Sequence, residues 1–573
     1  MIDMVARGQD PSEAGFSLST ELVEALPILA RCAERIGVGQ FFEQAVGVGD
    51  GRCRLSPAKA LSVVTMNICV HHEPVYALGE WAKRRDPTLL GLNDEDVSYL
   101  NDDRVGRDLA RLFDADRASL LNELVLRAVA EFDVDCSRLH NDSTSVKLSG
   151  VYRQASGQRR GGKRTVAAAR GFSKDHRSDF KQLVWILTVA ADGAVPLAHR
   201  VADGNTEDST THIATWDALC ALLGRSDFLY VADAKLAVRT TMAHLDRLGG
   251  RFVTVLPKSR KEDGAMRDWL VGHELGWTEA LRLPAQRFGE PDDVYSVAES
   301  PWPSAEGYRV IWVRSSTKVE RDAEARRARI AAGIAAVDAI NIRLASPRTR
   351  LKSRVTIAAE TDEALEECGA TRWLTYEIDE ITEVRHRQES RGRPGKNTRY
   401  RRIEKIRRRL RFSVREDLVA HDACSDGCWP LVTNVRDIDA GELLVAYKYQ
   451  PHLERRHHLL KGDQLVAPVF LHDPARIEGL MTCHFIALLL QALMELEVRR
   501  AMGRQGIKAL ALYPEDRPSS SPSAARMIEA FTGVARHRLH DAEDRLVQTF
   551  APELSPLQEQ LLDLLGVPAS AYA

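Results

Sequence analysis

Three acidic residues stand in three local contexts: Asp142 in His140-Asn-Asp-Ser-Thr-Ser145, Asp233 in Phe228-Leu-Tyr-Val-Ala-Asp-Ala-Lys235, and Glu454 in Tyr447-Lys-Tyr-Gln-Pro-His-Leu-Glu-Arg-Arg456. Aspartate on one strand, aspartate at the end of another and glutamate on a later helix can converge on two hard divalent cations. Such ions prefer carboxylate oxygen and retain water as a nucleophile, which suits phosphodiester chemistry. Each acid also has an ordinary reading. Asp142 suits an exposed strand, Asp233 a helix N-cap, and Glu454-Arg-Arg-His-His458 a solvated helix face.

The elements that must position these acids can be read from periodicity. Ser137 to Leu148 alternates, Lys181 to Ala190 is strongly apolar, Ala191-Asp-Gly193 is a turn, and Val195 to Val201 returns as a strand. A helix over about 208–223, the strand Phe228–Ala232, a helix over 235–248 and the strand Arg251–Leu256 follow. This order predicts an α/β fold, a ribonuclease H-like mixed sheet flanked by helices. Strand alternation places His140, Asp142 and Thr144 on one face. Asp233 falls at the carboxyl end of its strand, where open α/β sheets place ligands. Pro451 is tolerated only in a first turn, so a helix begins near Gln450. At about 100° per residue, Lys461 returns to within roughly 20° of Glu454 on that helix.

At 573 residues the chain exceeds one hydrophobic core. Residues 1–135 read as an all-helical domain for DNA binding or dimerisation, with a helix start at Ser56-Pro57. The sheet is expected over 136–259, a basic and partly helical insertion over 260–425, the rest of the core with the glutamate helix over 426–505, and a helical tail over 506–573. Within the insertion, 319–344 reads as a solvated helix.

Composition excludes little and directs attention to local charge. The formal net charge is −2, with 44% hydrophobic and 28% charged residues, so a polyanion surface must come from segregation. Two stretches show it. Arg153 to Lys181 holds nine Lys/Arg against two acids and reads as a flexible arm, while Arg385 to Arg411 holds thirteen against two. Arg391-Gly-Arg-Pro-Gly395 is similar to a minor-groove hook, which makes Arg391 and Arg393 candidate DNA contacts. Nine scattered cysteines suit a reducing compartment, and His421, Cys424 and Cys428 form an incomplete zinc set. Asp3, Arg7, Asp10 and Glu13 interrupt any apolar leader, and the apolar run 479–498 carries too many polar residues for a membrane span. The expectation is a cytoplasmic protein with no membrane partner. No phosphate-binding glycine fingerprint supports a metabolic α/β enzyme.

The spacing Tyr447, Gln450, Glu454, Lys461 resembles the tyrosine-arginine-glutamate-lysine signature of DDE transposases from bacterial insertion sequences of the insertion-sequence-four group, with Gln450 in place of the arginine. Gly171-Phe-Ser-Lys-Asp-His-Arg-Ser-Asp179, Asp203-Gly-Asn-Thr206, Ala232-Asp-Ala-Lys235 and Leu512-Tyr-Pro-Glu-Asp-Arg517 resemble a long-chain branch of that family, over about residues 14 to 535. The resemblance implies Asp142, Asp233 and Glu454 as the catalytic and metal-binding triad, with two Mg2+ ions or Mn2+ as substitute. It implies Tyr447, Gln450 and Lys461 as DNA contacts. Its implied partners are double-stranded DNA with terminal inverted repeats and a target DNA, handled by a homodimer or higher assembly on the nucleoid. Alternatives are a catalytically silent DNA-binding descendant and a metal-dependent nuclease.

Overall fold

Strand Arg138–Leu148 is the organising element of the fold, because it pairs on both edges. Lys181–Ala190 runs antiparallel to it and Pro196–Ala202 antiparallel to that, while Leu229–Ala232 lies parallel on its other side, followed by parallel Arg251–Val255. Helices His212–Leu223 and Arg239–Arg247 connect the parallel strands, as parallel pairing requires. The computed structural model describes residues 16–573 apart from 48, 50–52, 71, 173–176, 178, 286–288 and 468. Asp3, Arg7, Asp10 and Glu13, and Lys174, Asp175 and His176 of the Gly171 motif, lie outside the described residues.

Two units are present, one built from Met1–Thr254 with Ala446–Ala573 and the other from Val255–Val445. In the first, a 32-residue helix, Pro474–Gln505, is capped by the Asp473 carboxylate on Ala475 N–H and ended by Gly506 at φ 70°. It is long and apolar enough to cross a membrane, yet its most apolar 18-residue window is buried within the fold. The N-terminal helices pack on it. Gly479 lets Asp102–Asp114 approach closely, since a Cβ there would lie 2.3 Å from the Leu109 carbonyl. Arg117 pairs with Glu478 at 3.1 Å, and the Gln491 amide reaches the Cys69 carbonyl at 3.4 Å.

The expected boundary near 135 is therefore no division between compact units, because the first helices bury their apolar faces on sequence some 350 residues later. Residues 17–132 are also not all-helical. Ser17–Leu22 is a strand pairing antiparallel with Ala535–His540, which pairs in turn with Leu546–Phe550. The tail is accordingly mixed rather than helical, with helices Ala524–Glu529 and Pro556–Leu564 among its strands. These strands are short and polar, and their partners are too distant in sequence for local periodicity to reveal.

The second unit begins near the expected insertion start and ends at Val445 rather than 425. Strand Cys428–Thr433 pairs antiparallel with Arg309–Ser315, which pairs with Asp293–Glu299 and that in turn with Thr278–Leu283. Ser316–Ala345 is the expected long helix. Together with Arg354–Glu367 it buries Val337, Ile340, Ile357 and Leu365 against Leu374, Ile378 and Leu410 of a β-ribbon, Leu374–Gln388 with Tyr400–Val414. The ribbon is where the basic stretch was expected to be only partly helical.

Candidate active site

Parallel register brings two of the acids together. Asn141 stands opposite Ala232, so the next residues along, Asp142 and Asp233, are neighbours at the end of that pairing. Asp142 is half-buried within its strand. Asp233 caps the short helix Ala234–Leu236 through the Lys235 N–H at 3.0 Å, and its carbonyl accepts the Thr254 hydroxyl at 2.6 Å. The N-cap reading of Asp233 and its place at a strand end are thus both correct.

The third acid arrives on helix Gln450–Lys461, with Pro451 in the first turn. Its buried face carries Gln450, Leu453, Arg456, His457 and Leu460, which leaves Glu454 exposed and Lys461 half-buried. Gln450 fixes this helix to the aspartate strand. His140 Nδ1 lies 3.1 Å from its Oε1, and its Nε2 donates to the Asn141 carbonyl at 3.3 Å. Both ends of the amide are engaged in a buried setting, so Gln450 acts here as a structural clamp rather than as the exposed contact expected from the signature. Arg456 adds a second anchor, donating to the Ala194 and Gly193 carbonyls at 3.0 and 2.8 Å and pairing with buried Glu495 at 2.8 Å. Removing one partner of such a buried pair typically costs about 3–5 kcal/mol.

Tyr447 reports the convergence. Burial pushes its hydroxyl up to about 12, and the carboxylates of Asp233, Glu454 and Asp142 all act in the same direction. A single phenol thus lies in the field of acids drawn from three distant segments. Burial likewise lowers His140 to about 4, keeping the ring that holds Gln450 neutral. His212, its Nδ1 3.2 Å from the Tyr230 hydroxyl, is lowered by burial against the opposing pull of Asp233 and Asp208.

Among the described residues no three His, Cys, Asp or Glu side chains form a single-ion cage. Carboxylate oxygen, the donor type that Asp142, Asp233 and Glu454 offer, is what magnesium prefers, an ion held by one or two carboxylates with water and phosphate oxygens completing its shell. Arg391 and Arg393 belong to the other unit, exposed in the turn of the β-ribbon. His140, Tyr449 and Thr254 were not singled out as site residues by sequence. His140 shares a face with Asp142 by alternation, which was the available signal, and its ring packs 5.1 Å from Tyr449.

Residues 18–126 match the model of a family described as a domain of unknown function (DUF4277). No curated protein matches the chain. Among solved structures, a cryo-EM structure of the piggyBac transposase synaptic complex with hairpin DNA aligns at 8% identity and a TM-score of 0.26, over 52% of this chain. The alignment spans 63% of that chain, less than two thirds of its length.

Proposed function

We propose that the chain is a DDE-type transposase that cleaves DNA at the terminal inverted repeats of an insertion sequence and joins the freed ends to target DNA. The observation that carries this reading is the register that sets Asp142 beside Asp233 together with the Gln450 amide that ties the Glu454 helix to the same strand. The antiparallel-then-parallel strand arrangement supports a ribonuclease H-like core. Asp142, Asp233 and Glu454 would hold two magnesium ions, which when bound activate the attacking oxygen and stabilise the leaving one.

The protein's own residues supply position and charge. Thr254 and the Lys235 amide fix Asp233, while the Gln450 and Arg456 anchors fix the helix that carries Glu454. Tyr447, kept protonated, can donate its O–H to an anionic oxygen without adding negative charge. Lys461 lies about two turns beyond Glu454 on the same helical face and supplies a cation for a phosphate near the bond being broken. Three acids suit direct attack by water, then by a 3′-hydroxyl, without a covalent enzyme intermediate.

The test is magnesium-dependent cleavage of labelled DNA carrying the inverted repeats that flank the gene. Native protein should nick at the repeat ends and join them to a second duplex, while Glu454→Gln and Asp233→Ala should bind the ends and leave them uncut. Equal cutting by native and variant chains would sink the triad assignment. Cutting without end preference or joining would favour a nuclease, and end binding without cutting by any chain would favour the silent descendant.

A further inference from the structure

The β-ribbon Leu374–Gln388/Tyr400–Val414 contains an arrangement that its own fold penalises. Its register sets Arg387 directly opposite Arg401, with Arg385 opposite Ile403 and Glu383 opposite Lys405. Directly opposed residues share a face, and successive pairs two apart return to it. Arg385, Arg387, Arg401 and Lys405 therefore line one side of the outer ribbon. Like charges directly opposite each other destabilise a strand pair.

The acids available relieve this only toward the base of the ribbon. Glu383 is taken by Arg407 at 2.9 Å and Arg385 at 3.4 Å, and Glu404 by Arg402 at 2.8 Å. Among the described residues Arg387, Arg401, Lys405, Arg391, Arg393 and Lys396 meet no carboxylate. Only the ribbon's base is held by a core, through Leu374, Ile378 and Leu410. Further out, Ile381 is 51%, Ile406 50% and Tyr400 50% exposed. Two strands alone are marginal in water, and the outer part of this ribbon of 15 residues per strand has little core of its own.

We infer that the outer ribbon is a duplex-DNA arm, in which Arg387, Arg401 and Lys405 contact phosphates along a groove and the Arg391-Gly-Arg-Pro-Gly395 turn enters it. This rests on the DNA-processing reading above for the identity of the polyanion. A two-stranded ribbon fits the width of a duplex groove, and rows of phosphate supply the negative charge that the opposed arginines lack. Glycine at 392, with φ 133°, allows the turn to tighten where a side chain would strain it.

The experiment uses the full-length chain and a labelled duplex DNA of about three helical turns, titrated across a series of salt concentrations. The variants are the double substitutions R387Q/R401Q and R391Q/R393Q. Thermal melting should show both folded, with R387Q/R401Q no less stable than native. R387Q/R401Q should weaken binding about tenfold near 0.1 M salt and reduce the slope of log K against log salt by about 2, as expected for two lost phosphate contacts. R391Q/R393Q should also weaken binding. Unchanged affinity and slope in both folded variants would overturn the arm, as would tighter binding to duplex RNA than to DNA of equal length. The two proposals separate in the same assay. Normal slopes with Glu454-dependent cutting would remove the arm and keep the transposase, and reduced slopes without cutting by native protein would do the reverse.

Discussion

In the stretch from Arg153 to Lys181, Arg160 grips both oxygens of Asp114 at 2.9 Å, Lys163 donates to the Asp114 carbonyl at 2.9 Å, and Arg164 reaches Asp203 at 3.0 Å. In the stretch from Arg385 to Arg411, Arg387 faces Arg401. Both stretches read as one-sided runs of cations. The fold draws acids from 114 and 203 onto the first, so Arg160, Lys163 and Arg164 are tied into internal scaffolding. The second lies on a ribbon whose base sets Arg408, Arg409 and Arg411 opposite Glu380, Asp379 and Glu377, while its outer end sets Arg387 against Arg401, and there the imbalance survives folding. A count of charges therefore marks a candidate surface, and the pairing of those charges decides whether a polyanion is still needed.

The largest effect should come from acid, and it tests how completely the first unit satisfies itself. Buried His140 and half-buried His72 and His199 are rings whose protonation is pushed down by desolvation, to about 4 for His140 and His72 and about 3 for His199, from 6.5. The folded state refuses protons that the unfolded chain accepts below pH 6.5, so stability holds above that value and falls as pH descends. By about pH 5 the loss should be about 2 kcal/mol per ring, read from urea unfolding at pH 7.5 and 5. A flat profile would show that these rings are not sealed.

Gly204→Ala should follow. A Cβ there would lie 1.9 Å from the Gln182 carbonyl, at the place where Asp203 also accepts Arg164 and the Ala167 N–H. A loss of about 3 kcal/mol in chemical unfolding is expected; a neutral result would break the claim that the first basic stretch is locked down. Gln450→Leu should cost about 1–3 kcal/mol by stranding His140 and the Asn141 carbonyl, and should slow end cleavage more than it weakens end binding.

The comparison is sharpest between two single arginines. Arg164→Gln should cost up to about 1 kcal/mol, discounted for the exposure of its pair with Asp203, and leave DNA affinity unchanged. Arg387→Gln should change stability by no more than about 0.5 kcal/mol, in the stabilising direction, while lowering DNA affinity. Reversal of those two outcomes in paired melting and binding measurements would undo the distinction between the stretches.

Much of the core sheet was legible. Lys181–Ala190 carries an apolar run bounded by a turn, and the proline of Gln450-Pro451 marks a helix start, so local chemistry sufficed. The Asp203-Gly-Asn-Thr206 and Gly171 motifs were legible as motifs but not in purpose. A Cβ at Gly171 would lie 2.3 Å from the Gly204 carbonyl, so the two segments require glycine because their backbones touch. The pairing of Ser17–Leu22 with Ala535–His540 was not legible, since a six-residue polar strand has no local signature of a partner five hundred positions away.

By itself the sequence determined which side chains could do chemistry and on which kind of element each would sit: Asp142 on a strand, Asp233 at a strand end, Glu454 in an early helical turn. These follow from local periodicity, capping and proline geometry, which depend on near neighbours. Tertiary structure alone decided that Asn141 lies opposite Ala232, that Gln450 is a buried clamp, and that Arg387 meets Arg401 while Arg160 meets Asp114. Register and long-range pairing are set by how buried faces fit together, a property of the packed chain that no local window contains.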